Sequence, residues 1–157
     1  MSTADAPGFE LPMRLFLGFR ALVDELHAEL ARQGHPDVRP THGFVFQAIG
    51  PDGTTAAELG RALGISKQAA AKTVDSLERL GYVERGADAR DARRKVVRLT
   101  DRGLDCLRRS ARIFDALRAR WAEEIGEQRL RALEDDLRKV TPEVFRLDVP
   151  GWFGNPA

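Results

Sequence analysis

With 157 residues, a hydrophobic share of 43% and a charged share of 31%, the chain has the composition of an ordinary globular domain, which excludes a disordered polymer and predicts one domain over 1–157. Its formal charge of +1 singles out no partner by itself. Cys106 is the only cysteine, which excludes an intrachain disulfide and a zinc ribbon, and His27, His35 and His42 have no Cys or His cluster to join them, so no metal and no cofactor is expected.

Residues before about Leu11 contain Pro7 and Gly8 and little periodicity, the pattern of a loose arm. Phe16, Phe19, Val23, Leu26 and Leu30 then recur at helical spacing, with Leu15 and Leu22 widening the face. Gly34 and Pro36 close that helix, which spans 11–34. After a loop over 34–40, Thr41 is placed to cap a short helix carrying Phe44, Val45, Ala48 and Ile49, and Gly50-Pro51-Asp52-Gly53 reads as a turn.

Thr55 stands three residues before Glu58, the spacing of a capping box, and Leu59, Ala62 and Leu63 share one face of the helix that follows. Gly64 should stop it. Ile65 plugs the turn, Ser66 supplies an N-cap oxygen, and Ala70, Val74, Leu77 and Leu80 form the single apolar stripe of a second helix. Gly81 suits a left-handed cap and Tyr82 is the hydrophobic residue that follows it.

Residues 82–85 read as an outgoing strand and residues 96–99 as its return. The tip between them, 87–95, has almost no side chain large enough to bury, so it projects toward solvent or a partner. Six basic residues (Arg85, Arg90, Arg93, Arg94, Lys95, Arg98) and two acidic ones (Asp88, Asp91) give this hairpin a charge of +4. The rest of the chain is therefore net acidic.

Thr100 caps a long helix in which Leu104, Leu107, Ala111, Phe114, Leu117, Trp121 and Ile125 alternate steps of three and four. Gly126 interrupts it. Leu130, Leu133, Leu137 and Val140 define another helix before Thr141-Pro142, and the aromatic tail Val149-Pro150-Gly151-Trp152-Phe153-Gly154 is expected to dock. The long first and last helices carry more apolar surface than a small winged unit can cover, and a second copy paired across a two-fold axis would cover it. Cys106 sits in the long helix, where a small buried hydrophobe is expected; an oxidation sensor would need Arg102, Arg108 and Arg109 to lower its thiol pKa.

The run Ala56-Ala57-Glu58-Leu59-Gly60-Arg61-Ala62-Leu63-Gly64-Ile65-Ser66, continued by Val74-Asp75-Ser76-Leu77-Glu78-Arg79-Leu80-Gly81-Tyr82-Val83, resembles the helix-turn-helix of the MarR family of winged helix-turn-helix transcriptional regulators. Asp91-Ala92-Arg93 and Leu99-Thr100-Asp101-Arg102-Gly103 resemble that family's wing and its exit. The order of elements agrees from about Leu11 to Val140. Ala89 and Ala92 depart from the family's usual proline and basic residue, and Ala71 stands where a hydroxyl is frequent. The resemblance implies a mainly α (α+β) fold: a winged helix-turn-helix over 41–100 with a two-stranded wing, and N- and C-terminal helices, 11–34 and 101–147, forming a dimerisation region. It further implies a homodimer, a second helix in the major groove of double-stranded DNA, a wing in the adjacent minor groove, and repression relieved by a small aromatic or anionic effector; a cytoplasmic location is expected from the lack of a membrane span or secretory signal pattern.

The residues themselves offer the chemistry. Lys67, Gln68, Ala71, Lys72 and Asp75 lie opposite the buried stripe, with Thr73 beside them. Gln68 suits adenine N6 and N7, the lysines suit guanine or phosphate, and Ser66 at the helix N-terminus suits a phosphate. Arg90 and Arg93 fit a narrow minor groove, Arg94 and Lys95 fit phosphates, and Asp75 and Asp91 are placed to orient wing arginines. Phe16, Arg20, His42, Phe46 and Trp121 are the candidates for an effector pocket. A winged helix serving as a protein-interaction or RNA-binding module is the alternative. An enzyme is not expected, since there is no Gly-rich phosphate loop or nucleophile elbow and Glu134-Asp135-Asp136 reads as a solvated helix face. No apolar run approaches the ~20 residues of a membrane span, and no secretory signal pattern opens the chain.

Overall fold

Six helices and one hairpin succeed each other in the computed structural model, which describes residues 6–141: α1 (Glu10–Arg32), α2 (Pro40–Ile49), α3 (Ala56–Leu63), α4 (Lys67–Arg79), β1 (Val83–Ala87), β2 (Lys95–Leu99), α5 (Asp101–Ile125) and α6 (Glu127–Val140). The aromatic tail, Pro142 and the expected dimerisation segment beyond Thr141 lie outside the described residues. This is the expected mainly helical winged helix-turn-helix.

Local chemistry sets the boundaries of the central unit. Thr55 Oγ1 accepts the Glu58 N–H at 3.2 Å while the Glu58 carboxylate accepts the Thr55 N–H at 3.1 Å, the reciprocal box that starts α3. Gly64 ends it in the left-handed conformation, φ 68° and ψ 28°. The Ser66 hydroxyl oxygen accepts the Ala69 N–H at 3.0 Å and starts α4. The α3–α4 turn is tight enough that a Cβ at Gly60 would lie 2.9 Å from the Ile65 carbonyl oxygen, so no larger residue fits there without moving the turn.

The two strands pair antiparallel with Val83 opposite Leu99 and Ala87 opposite Lys95, leaving a tip of 88–94 that is shorter than expected. Thr54 adds one bridge to Val97 and ties the loop before α3 to the wing. The core gathers Leu59, Leu63, Ala70, Val74, Leu77, Tyr82 and Val83 against Val45, Phe46 and Ile49 of α2, Leu26 and Leu30 of α1, and Cys106, Ile113 and Leu117 of α5.

α1 begins at Glu10, within one residue of the expected start, and the Glu10 N–H is held by the Pro7 carbonyl at 2.9 Å. Two expectations are corrected. α2 is capped by Arg39 rather than Thr41, because Pro40 fills the first helical position and His42 Nδ1 accepts the Arg39 N–H at 3.1 Å. The buried face of α5 runs through Gly103, Cys106, Ile113 and Leu117, whereas Phe114 and Ile125 of the expected stripe are exposed. α5 carries two apolar faces, and periodicity alone does not say which one meets the core.

Candidate nucleic-acid interface

The outward side of α4 is built by what its other side buries. Ala70, Val74 and Leu77 have no solvent exposure, which turns Lys67, Gln68, Lys72 and Asp75 outward and leaves Ala71 and Thr73 half-buried at the flanks. Neither lysine has an ion-pair partner among the described residues. The hydroxyls of this helix are less free. Ser66 is engaged as the cap, and Thr73 donates to the Ala69 carbonyl at 3.2 Å.

The root of the wing is fastened to this helix by Arg85. Its guanidinium reaches Asp75 at 2.7 Å, Glu78 at 3.1 Å and the Ala71 carbonyl at 3.3 Å, and its N–H donates to Glu78 at 3.2 Å. Asp75 therefore holds a strand arginine rather than one at the tip. Arg85 as a strut was not foreseen; the acidic Asp75 and Glu78, three residues apart on one helix face, were its only signal in the sequence.

The tip is shaped by its own aspartates. Asp88 accepts the Arg90 N–H and Asp91 the Arg93 N–H, each at 3.0 Å, while the Asp88 and Arg94 backbones close the loop at 2.8 Å. Asp91 thus orients Arg93 through the backbone and leaves its guanidinium free. Arg90, Arg93 and Lys95 are exposed and without ion-pair partners among the described residues. Arg94 differs: it pairs with Glu58 on α3 and lies 3.9 Å from Asp88. The Glu58 carboxyl is held below its ordinary pKa by the Thr55 N–H, the Thr54 hydroxyl and the Arg94 guanidinium, so one carboxylate caps α3 and anchors the wing.

The five candidate pocket residues do not line one common cavity among the described residues, although the His42 and Phe46 rings are neighbours, with centroids 6.4 Å apart. Phe46 lines an apolar chamber of about 150 Å³ between α1, α2 and α5, with Phe19, Phe44, Phe114 and His27. His42 borders a separate cleft of about 410 Å³ with Arg39, Ser76 and Arg79, and Trp121 a third of about 270 Å³ with Leu22 and Arg120. Phe16 and Arg20 lie on the exposed flank of α1, where Arg20 pairs with Asp24 at 3.4 Å. Burial holds the His42 imidazole down at about 4, helped by the nearby Arg39. His27, not foreseen, brings to the chamber wall a buried Nδ1 with no hydrogen-bond partner. Burial likewise raises the Cys106 thiol above its ordinary pKa, the opposite of what an oxidation sensor needs.

Residues 37–94, which hold α2, the helix-turn-helix and the wing to its tip, match the model of the MarR family. This segment is similar to the helix-turn-helix and wing of the MarR family. Solved structures extend the likeness in fold to the flanking helices. Streptococcus pneumoniae FabT in complex with DNA matches with a TM-score of 0.71 and 19% identity, over 85% of this chain and 94% of that one. A MarR-family transcriptional regulator from Rhodococcus sp. RHA1 matches with a TM-score of 0.62 and 20% identity, over 87% and 97%. The S. aureus MepR–DNA complex matches with a TM-score of 0.63 and 21% identity, over 81% and 92%. The MarR resemblance read from the sequence therefore stands. No helix among the described residues is long and apolar enough to cross a membrane.

Proposed function

We propose that this MarR-like chain is a sequence-specific, double-stranded DNA-binding transcriptional regulator that works in the cytoplasm as a homodimer, represses from a palindromic operator and releases it on binding a small effector. The observation that carries the reading is the set of unpartnered cations on one edge of the molecule: Lys67 and Lys72 on α4, and Arg90, Arg93 and Lys95 on the wing. Leaving five cations unpaired beside aspartates that could hold them suits a polyanion whose phosphates supply the missing charge. That two of the similar structures are DNA complexes supports the same reading.

α4 enters the major groove with Gln68 on a base edge and Lys67 and Lys72 on guanine or phosphate, while Ala71 allows close approach. Ser66 and Thr73, whose hydroxyls serve the helix, shape the approach rather than read bases. Arg90 and Arg93 reach the minor groove, and Lys95 meets phosphate. Asp75 and Asp91 keep the wing aimed. In the dimer, two such heads address half-sites about 10–10.5 base pairs apart. The effector site is the chamber around Phe46, whose aromatic wall and single unpaired His27 nitrogen suit an apolar aromatic molecule with one hydrogen-bond donor.

Selection of duplex fragments by the purified protein, followed by gel-shift titration with RNA as competitor, tests this reading. An inverted repeat should emerge, and Gln68→Ala should relax preference at one base pair per half-site by about 1–3 kcal/mol. Equal competition by duplex DNA and RNA would instead support a general RNA-binding module. The exposed face of α4 argues against that, since it offers no aromatic side chain for base stacking.

A further inference from the structure

Away from the DNA-facing edge, one cluster of polar side chains is buried where the winged head meets the flanking helices. His35, in the loop after α1, is 3% exposed. Its Nδ1 lies 2.9 Å from the Tyr82 hydroxyl and its Nε2 lies 2.9 Å from Asp105. A carboxylate only accepts, so Nε2 donates to Asp105, and in the neutral imidazole Nδ1 accepts from the tyrosine. The Tyr82 oxygen in turn accepts from Arg102 at 3.1 Å, and Arg102 lies over the tyrosine ring at 4.7 Å. Asp105 is also held by Arg109 at 2.7 Å. The result is one directional chain: Arg102 to Tyr82, Tyr82 to His35, His35 to Asp105, with Arg109 closing the end.

Two further bonds of these arginines end on the two residues that follow α1. Arg109 donates to Gln33 Oε1 and Arg102 to the Gly34 carbonyl, both at 3.2 Å. Tyr82 is the residue that joins α4 to β1, and it is fully buried. Its carbonyl accepts the Thr100 N–H at 3.0 Å and presses on Gly103, where a Cβ would come within 2.3 Å. A single polar knot thus fixes the end of α1, the root of the reading helix and the first turns of α5 to one another.

We propose that His35, Tyr82 and Asp105 are positioning residues that lock the angle between the winged head and α1, and so set the distance between the two heads of a dimer. The inference rests on the dimeric DNA-binding reading given above. Geometry explains why a lock here would matter. The exposed apolar residues Phe9, just before α1, and Leu11, Met13, Leu15, Phe16 and Leu17 in its N-terminal half cluster at the far end from the knot. With 23 residues, α1 is about 34 Å long. A tilt of about 5° at the knot displaces the far end by about 3 Å, close to the ~3.4 Å rise of one base pair. Loosening the knot would therefore cost spacing discrimination before it cost affinity.

Tyr82→Phe deletes the hydroxyl and keeps the ring that packs 5.6 Å from Phe46, so it is the least disruptive probe. Asp105→Asn and His35→Gln cut the chain at its other links. Asp52 is exposed on the head, so spin labels there, in the full chain with Asp52→Cys and Cys106→Ser, report the head-to-head distance without DNA. The expected result is a distance distribution broadened about twofold by Tyr82→Phe and Asp105→Asn, with helical content and melting cooperativity unchanged. On duplexes whose half-sites are moved by one base pair, the penalty should fall from about tenfold in the parent to under about threefold in the variants. Distributions and spacing profiles that match the parent in both variants would overturn the proposal. A parent showing no label-to-label coupling would overturn the dimer and the lock together. A parent that couples but binds no duplex would defeat the DNA reading and leave the distance widths to decide the lock.

Discussion

Between residues 34 and 100 no large apolar side chain is exposed, yet Lys67, Lys72, Arg90, Arg93 and Lys95 have no ion-pair partner among the described residues. Along the flanking helices most cations are engaged, although Arg108, Arg112 and Arg129 have no ion-pair partner among the described residues. Arg118 is shared by Glu127 and Glu134, Arg120 by Glu25, Arg131 by Glu127 and Lys139 by Asp136. There, Phe9, Leu11, Met13, Leu17, Phe114, Ile125, Leu133 and Val140 are left open to solvent. One region leaves charge uncovered and the other leaves hydrocarbon uncovered, so each asks for a different partner: a polyanion for the winged head, a second apolar surface for the flanking helices.

The most forceful way to break the comparison is to put charge on the apolar side. Met13 and Leu17 are four residues apart on one face of α1 and both are about half-exposed, so neither supports the core of the protomer. Met13→Glu with Leu17→Glu should leave the monomer folded, convert the dimer to monomer by light scattering, and weaken operator binding by about a thousandfold through lost avidity. A doubly substituted protein that still sediments as a dimer would place the interface elsewhere.

The next effect concerns the core of the head, where charge is not tolerated. His42 is buried with its pKa held at about 4, while the unfolded chain returns it to ~6.5. Between those values the unfolded state binds a proton that the folded state refuses. Stability should therefore fall as pH drops from about 6.5 toward 4, by about 3 kcal/mol in all, and change little from this residue below that window. His27, also lowered by burial, adds to the same direction. His42→Gln can still accept the Arg39 N–H, so denaturant titrations of this variant should show a flatter profile across that window. An unchanged slope would mean that the imidazole protonates inside the folded head.

A smaller effect tests the charged side itself. Arg93→Ala should weaken binding to all duplexes about tenfold at low salt and reduce the slope of log K against log salt by about one, since one cation in the field of the polyanion is lost. Gel shifts at four salt concentrations measure it. A slope equal to the parent's would remove Arg93 from the interface.

Much of this division was legible in the sequence, and the exceptions have physical causes. The capping box at Thr55 and Glu58, the stop at Gly64, the cap at Ser66 and the break at Gly126 are local, so residue types a few positions apart decide them. The cap of α2 was misplaced because the His42 imidazole takes the place of the usual Glu or Gln side chain three residues after the cap. Which face of α5 enters the core depends on α1 and α2, which are far away in sequence, and so Ile113 was not preferred over Phe114, although the burial of Cys106 was expected. The knot around His35 joins residues 47 and 70 positions apart, and no spacing rule reaches that distance. For the same reason the apolar chamber was anticipated through Phe46 alone.

Arg94 provides the finest test, because composition treats it as equal to Arg93 and structure does not. Both sit on the same strand-proximal side of the tip, but Arg94 is spent on Glu58, and Glu58 is already the cap of α3. Since both groups are well exposed, water screens the pair and it contributes little to stability. Arg94→Ala should thus lower the melting temperature by only a degree or two, leave the salt slope within error of the parent, and change affinity by less than about threefold. Glu58→Gln asks the converse question: it retains an acceptor for the Thr55 N–H while releasing Arg94 from its anion. If the wing depends on that anchor to hold Arg90 and Arg93 over the minor groove, Glu58→Gln should weaken binding more than Arg94→Ala does, although it adds net positive charge. Tighter binding by Glu58→Gln would show instead that a freed arginine finds its own phosphate, and that the head's reach is set by charge alone.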